Sequence, residues 1–266
     1  MTGSGLFTSG GMLSLAGVTG LGFLIVFLVL MFTFAILARR SAGREHPTAR
    51  LRVIPAFTRL SRAVGLAVEA GQRLQISLGS GGLNGLEGAS ALVGLSVLNR
   101  IARAASISDR PPVATSGAGE LAILSQDTLR GAYRAIGSSG QYDPASGLLT
   151  GLTPFSYAAG VLPVIYDQQV STNVLAGHFG SEVALITDAG ERSGGLTLAG
   201  SDNLPAQAVL YASAQEPLIG EELYASGAYI QAGVMHLASL RAQDVLRLAL
   251  VVGILGGVVL KLLGVL

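Results

Sequence analysis

The chain has 266 residues, half of them hydrophobic and only 12% charged, with 17 Lys and Arg against 16 Asp and Glu and no cysteine. Soluble domains carry about 25% charged residues, so a chain this poor in charge is predicted to be covered by lipid, by identical neighbours, or by both. The net charge of +1 argues against a nucleic-acid partner, because binding a phosphate backbone requires a concentrated basic face.

The N-terminal region predicts a transmembrane helix over residues 12–38, after a short leader at 1–11. No charged residue precedes Arg39, and Leu21–Leu37 is almost purely aliphatic and aromatic. About 20 helical residues cross a hydrocarbon core of roughly 30 Å. A cleavable signal peptide would have a basic start and a shorter apolar run, whereas here the basic residues follow the run. We therefore expect a retained anchor with its N-terminus outside the cell.

Residues 39–72 read as a basic juxtamembrane linker that ends in an amphipathic helix. Phe57, Leu60, Val64 and Ala67 recur at helical spacing after Pro55, which suits a first helical turn. Such a helix can contact anionic lipid or pack on the domain as its first helix, and the sequence favours neither. The arginines available to lipid would be Arg50, Arg52, Arg59 and Arg62.

From Arg73 onwards, short strands alternate with helices. The strands are RLQISLG, PPVATSG, VSTNVLAG and LTLAGS, and the longest intervening helix is GLEGASALVGLSVLNRIARAAS. Strands separated by helices of about 12 residues or more imply parallel crossovers. Residues 73–202 are therefore predicted to form an α/β domain, a Rossmann-like three-layer sandwich around a parallel sheet. Residues 203–244 are predicted to be a helical extension.

The last residues, 245–266, predict a second and shorter transmembrane helix. Its end is interrupted by Lys261, whose ammonium can snorkel into the headgroups so that the segment just spans the core. Gly253 and Gly257 form a GxxxG pair, which lets two helices approach closely in lipid. A buried or interfacial helix is the alternative for this segment. With two spans, the domain would be cytoplasmic at the inner membrane and both termini would lie outside.

Polar and glycine residues follow the predicted strands at the end where ligands bind in parallel sheets. The candidate ligand-binding residues are Ser80, Gly81, Gly82, Asn84, Ser116 and Asp202. Consecutive glycines before a helix can turn backbone N–H groups toward a phosphate. However, the third glycine of a GxGxxG motif comes one residue late, at Gly85, and Glu87 would repel an anion. A purely structural strand-to-helix turn is the favoured alternative.

No residue can be assigned a catalytic role. The chain has no GxSxG elbow, P-loop lysine or HExxH motif. His178 and Glu182 have the spacing of a metal-ligand pair, but no second histidine lies nearby, so we predict neither a metal nor a cofactor. An enzyme remains possible, although a protein without catalysis is favoured.

Three long strings carry a resemblance: GGLNGLEGASALVGLSVLNRIARAASISDRPP, PFSYAAGVLPVIYDQQVSTNVLAGHFGSEVALITDAG, and AQAVLYASAQEPLIGEELYASGAYI followed by HLASLRAQDVLRL. They resemble a family of two-span prokaryotic membrane proteins known only as a domain of unknown function. The similarity runs from about Gly81 to the C-terminus. It supports a two-span topology and implies no catalytic residue.

Two functional hypotheses follow from these observations. In the first, the chain is a homo-oligomeric membrane scaffold, and the low charge reflects surface buried between identical subunits. In the second, it is a membrane-bound sensor or enzyme that binds a nucleotide or small anion at the Gly79–Glu87 turn. The first is favoured, because ligand binding does not account for the low charge.

Overall fold

The computed structural model describes residues 15–40, 51–106 and 108–263. The chain divides into two compact units. One, the α/β unit, comprises Thr48–His236, and the other, the helical unit, comprises Met1–Pro47 and Leu237–Leu266.

Within the described residues, the α/β unit is built around one six-stranded sheet. Its strands are β1 (Arg73–Gly79), β2 (Val113–Ser116), β3 (Gly147–Leu149), β4 (Val170–His178), β5 (Leu196–Ser201) and β6 (Glu216–Leu218). All neighbouring pairs are parallel, and the spatial order is β3-β2-β1-β4-β5-β6. This is the doubly wound order of Rossmann folds, so the predicted fold class is confirmed.

Helices connect these strands and extend the chain at both ends. They are α1 (Leu15–Arg40), α2 (Pro55–Glu69), α3 (Gly88–Ala104), α4 (Gly119–Ala135), α5 (Pro154–Asp167), α6 (Val183–Arg192), α7 (Leu204–Ser213), α8 (Glu222–Tyr229) and α9 (Val234–Leu262). Because every strand runs the same way, the connecting helices start at the carboxyl edge of the sheet and return to its amino edge.

The alternation of side chains along the strands builds two cores, one on each face of the sheet. On one face Leu74, Ile76 and Leu78 pack with α2, α3, α4 and α8. On the other, Leu175 and Ala199 pack with α5, α6 and α7. A close approach supports the first layer: a side chain at Gly94 of α3 would overlap the carbonyl oxygen of Ala176 in β4. The result is the three-layer arrangement that the sequence predicted.

Helix α2 packs on the α/β unit through the face that its sequence pattern defined. Phe57, Leu60, Val64 and Ala67 are all buried, and the Phe57 ring stacks on Tyr229 at 4.9 Å between centroids. Of the two roles open to this helix, packing on the domain is the one observed.

Two of the arginines predicted to contact lipid form ion pairs within the protein. Arg52 forms an ion pair with Glu222, and Arg59 forms one with Glu216. Arg62 is exposed, and Arg50 lies outside the described residues. Lipid contact at these positions stays a prediction.

The stretch 203–244 departs from the expected helical extension. It contains β6, which adds a sixth strand beside β5, and the α/β unit continues to His236. This strand could not be predicted from the sequence, because it has only three residues and one of them is Pro217. Proline removes a hydrogen-bond donor from the sheet and is found at edges, which is where β6 lies.

The two terminal helices are long and apolar enough to cross a membrane. The candidate spans are Gly20–Arg39 in α1 and Val234–Leu262 in α9, and an 18-residue stretch within each has a mean hydropathy of 2.9 and 2.2, respectively. The predicted first span began at residue 12, and residues 12–14 lie outside the described chain. Helix α9 begins at Val234, before the predicted second span at 245–266, and continues without a break to Leu262.

Candidate functional site

The candidate site lies at the carboxyl edge of the sheet, between β1 and β4. The connections from these strands leave toward opposite faces, which opens a crevice where parallel α/β proteins bind ligands. Ser80, Gly81 and Gly82 form the loop after β1, and Asp202 follows β5. The structure therefore places four of the predicted residues at one edge.

Three backbone N–H groups at the glycine-rich turn, those of Gly79, Ser80 and Leu83, donate to acceptors within the protein. Ser80 N donates to the carbonyl oxygen of His178 at 2.9 Å, and Gly79 N donates to the Tyr157 hydroxyl at 3.3 Å. Leu83 N points at Glu120 Oε1, 3.4 Å away. A loop that cradles phosphate must leave such groups free, so this hydrogen bonding favours the structural role of the turn.

The glycines also serve close packing. A side-chain Cβ at Gly81 would lie 2.5 Å from His178 Cβ and 3.0 Å from Glu87 Oε2. At Gly82 it would lie 2.8 Å from Glu120 Oε1. The space that a side chain at Gly81 or Gly82 would need is therefore already filled by His178, Glu87 and Glu120.

A hydrogen-bonded cluster around His178 joins three elements at this edge. His178 Nδ1 lies 2.7 Å from Asp202 Oδ1, and Asp202 Oδ2 accepts a hydrogen bond from Ser90 Oγ at 2.8 Å. Ser90 Oγ also lies 2.7 Å from the carbonyl oxygen of Glu87, so its single proton is shared between two acceptors. His178 Nε2 is 3.6 Å from Glu87 Oε1, too long for a hydrogen bond but close enough for charge attraction when the imidazole is protonated.

The other predicted residues stand apart from this cluster. Ser116 is fully buried and donates its hydroxyl to the carbonyl oxygen of Leu148, which ties β2 to β3. Asn84 is exposed at the tip of the loop. Glu182 does not pair with His178, because its buried carboxylate accepts the N–H of Gly180 at 2.8 Å.

Ser90 is a member of this edge that the sequence did not indicate. It lies in the first turn of α3, where a serine is ordinary. The only sequence signal was its position shortly after β1, and many residues share such a position.

The edge is acidic. The described loops and first helical turns at the carboxyl ends of the strands contain no Lys or Arg. Their carboxylates are Glu87, Glu120, Glu182, Asp202, Glu221 and Glu222, and Arg52 pairs with the last of these. An anion entering the crevice would meet this field of like charge.

The described residues contain no group of three or more His, Asp or Glu side chains arranged to hold a metal ion. What the cluster offers chemically is a set of hydrogen-bond acceptors around one imidazole.

Beneath the crevice lies a buried polar column. The Tyr157 hydroxyl reaches Thr115 Oγ1 at 3.4 Å, and Thr115 Oγ1 reaches Ser77 Oγ at 3.1 Å and Gln75 Nε2 at 3.3 Å. Burial raises the pKa of Tyr157, so the phenol stays neutral and able to donate. The column is connected to the end of β1 through the Tyr157 hydroxyl, which accepts the hydrogen bond from Gly79 N.

The predicted helix-packing glycines lie on open surface. A side chain at Gly253 or Gly257 of α9 would meet no atom within 4 Å, so the small-residue face is free to receive another helix. Packing through this face stays a prediction.

Fold and edge together define a Rossmann-like α/β protein with an apolar helix at each end. The chain belongs to the family described as "Domain of unknown function (DUF6754)", which matches residues 18–266. This confirms the resemblance to a domain of unknown function, and the prokaryotic origin of that family stays a prediction. No curated protein and no solved structure matches the chain.

Proposed function

We propose that the protein is a membrane-anchored scaffold that assembles into a homo-oligomer, with its α/β unit in the cytoplasm. The observation that carries the proposal is exposed apolar surface on both units. On α1 and α9, side chains such as Phe23, Phe32 and Ile254 are more than half exposed. Such helices are stable only where lipid or other helices cover them.

The charges flanking the terminal helices support the orientation. Arg39 and Arg40 end α1, while Arg241 and Arg247 lie in the first half of α9. Both sets adjoin the α/β unit in sequence, and arginines next to membrane spans stay on the cytoplasmic side.

The α/β unit itself exposes large apolar side chains in several of its loops and helices, among them Leu86, Leu152 and Leu204. A monomeric domain in water rarely exposes so many, and burial between identical subunits accounts for both these residues and the low charge. The competing hypothesis of an anion-binding sensor or enzyme is disfavoured, because three N–H groups of the turn already donate within the protein and the edge is acidic.

The test is the mass of the full chain, solubilised in mild detergent and measured by native mass spectrometry across a range of protein concentrations. The scaffold predicts a particle that contains several copies of the 27.1 kDa chain and keeps its size when nucleotides are added. A single-subunit particle at every concentration would contradict it. A nucleotide-dependent thermal shift that is lost in Gly81→Val would revive the competing hypothesis.

A further inference from the structure

Four exposed apolar side chains lie at the carboxyl edge of the sheet, in the connections after β1, β3 and β5. The exposed fractions are 98% for Leu86, 76% for Leu204, 74% for Leu152 and 65% for Phe155. The connections after β1, β2 and β3 lie side by side, since a side chain at Gly117 would approach both Ser80 and the carbonyl oxygen of Gly151. An apolar set rimmed by polar residues marks an interaction surface.

The charge of this edge decides between possible occupants. Its loops carry carboxylates without a compensating Lys or Arg of their own, and Glu87 and Glu120 stand beside Leu86 and Leu83. An anionic membrane surface would be repelled. A protein surface that combines apolar side chains with a basic group would be complementary.

The chain presents such a surface at the opposite, amino edge of the same sheet. A groove of about 770 Å³ runs there between the C-terminal ends of α2 and α5. Leu66 and Tyr166 line it and are 59% and 47% exposed, beside polar residues that include Gln72 and Thr172. The guanidinium of Arg110 lies at its side and donates to Gln169. The Ser171 hydroxyl in the groove is buried without a hydrogen-bond partner in the described chain.

We propose that the carboxyl edge of one copy docks into this groove of a second copy, with Leu86 entering between Leu66 and Tyr166 and the acidic rim facing Arg110. The inference rests on the proposed scaffold function and supplies its interface. The two surfaces lie at opposite ends of the strands, so the contact is head-to-tail. After each addition the assembly still has one free carboxyl edge and one free groove, so it grows into a closed ring or an open chain.

The test uses the full chain in detergent with one variant for each surface. Leu86→Asp removes the apolar side chain just before α3, and a carboxylate at this place is compatible with folding because it interacts favourably with the helix N-terminus. Leu66→Glu keeps a good helix former in α2 but places a negative charge in the groove, where it repels the acidic edge. Each variant should weaken association at least tenfold, roughly the effect of losing one buried leucine. The matched control is Ile123→Glu, which charges an exposed position on the flank of α4 and should leave the particle mass unchanged.

Mixing the two variants tests the head-to-tail geometry. The L86D chain keeps a working groove and the L66E chain keeps a working edge, so an equimolar mixture should give particles of two subunits. A second measurement uses Leu66→Cys/Leu86→Cys in a chain that has no other cysteine. Oxidation should produce a ladder of linked subunits, because the two positions lie too far apart within one copy to pair.

The possible results distinguish failure of the proposed interface from failure of the proposed scaffold function. A wild-type particle of one subunit would overturn the scaffold and the interface together. A large wild-type particle that neither variant reduces, and whose cysteine variant gives no ladder, would overturn the interface alone. Disruption by only one of the two variants would also overturn it, because a head-to-tail contact needs both surfaces.

Discussion

Replacing Asp202 with alanine should measurably destabilise the α/β unit. Its carboxylate accepts hydrogen bonds from His178 and Ser90 at 2.7 and 2.8 Å and is largely buried. Removing an acceptor that holds two partners costs about 2 kcal/mol, because each partner loses its hydrogen bond in a poorly solvated place. Asp202→Asn keeps one carbonyl acceptor and should lose about half as much.

In a unit of this size, about 2 kcal/mol corresponds to a fall in Tm of about 4–8 °C. The assay is thermal unfolding of the full chain in detergent, followed by circular dichroism. The matched control is Asp188→Ala, which removes an exposed carboxylate that pairs with Arg192 one helical turn away and should change Tm little. If Asp202→Ala melts within 1 °C of the control, the cluster does not stabilise the edge and the reasoning is refuted.

Three further substitutions test other parts of the structure. Gly94→Val should lower the free energy of unfolding by about 3 kcal/mol or prevent folding, because the new side chain would overlap the Ala176 carbonyl oxygen and push α3 away from the sheet. The assay measures the soluble fraction and the melting temperature, and wild-type values for both would contradict this packing. Tyr157→Phe should lower stability by about 1 kcal/mol at neutral pH, since Gly79 N loses its acceptor. Burial raises the pKa of Tyr157, so the wild type loses this contribution as pH rises above the ordinary tyrosine range, and the gap between variant and wild type should narrow there in melts at increasing pH. Gly257→Leu should reduce particle mass in detergent if α9 packs through its small residues, and an unchanged mass would place association in the α/β unit alone.

Much of the architecture follows from the local sequence. β1, β4 and β5 are rich in apolar residues and end at Gly79, His178 and Ser201, and the helices between them carry period-3.6 patterns, so the parallel α/β fold could be deduced. β3 and β6 could not be, because strands of three residues carry too little pattern to separate from loops. Their place in the sheet is set by tertiary pairing with β2 and β5.

The candidate site was only partly predictable for the same reason. Ser80, Gly81 and Asp202 follow strands, which places them at the carboxyl edge from sequence alone. The contact between His178 and Asp202 depends on β4 and β5 being neighbours, and strand order is not encoded in any short stretch. Ser90 joins them because α3 begins at this edge and Ser90 lies in its first turn.

Counting subunits in a lipid bilayer tests the central claim of self-assembly most directly, because it removes the effects of detergent. A single-cysteine variant at the exposed Gln141 can be labelled with one dye per chain, since the sequence has no native cysteine. At low density in supported bilayers, we predict that most fluorescent spots bleach in several steps and that Ile123→Glu in the same background bleaches alike. Spots that bleach predominantly in one step, in well-inserted protein, would contradict the account of this protein as a self-assembling membrane scaffold.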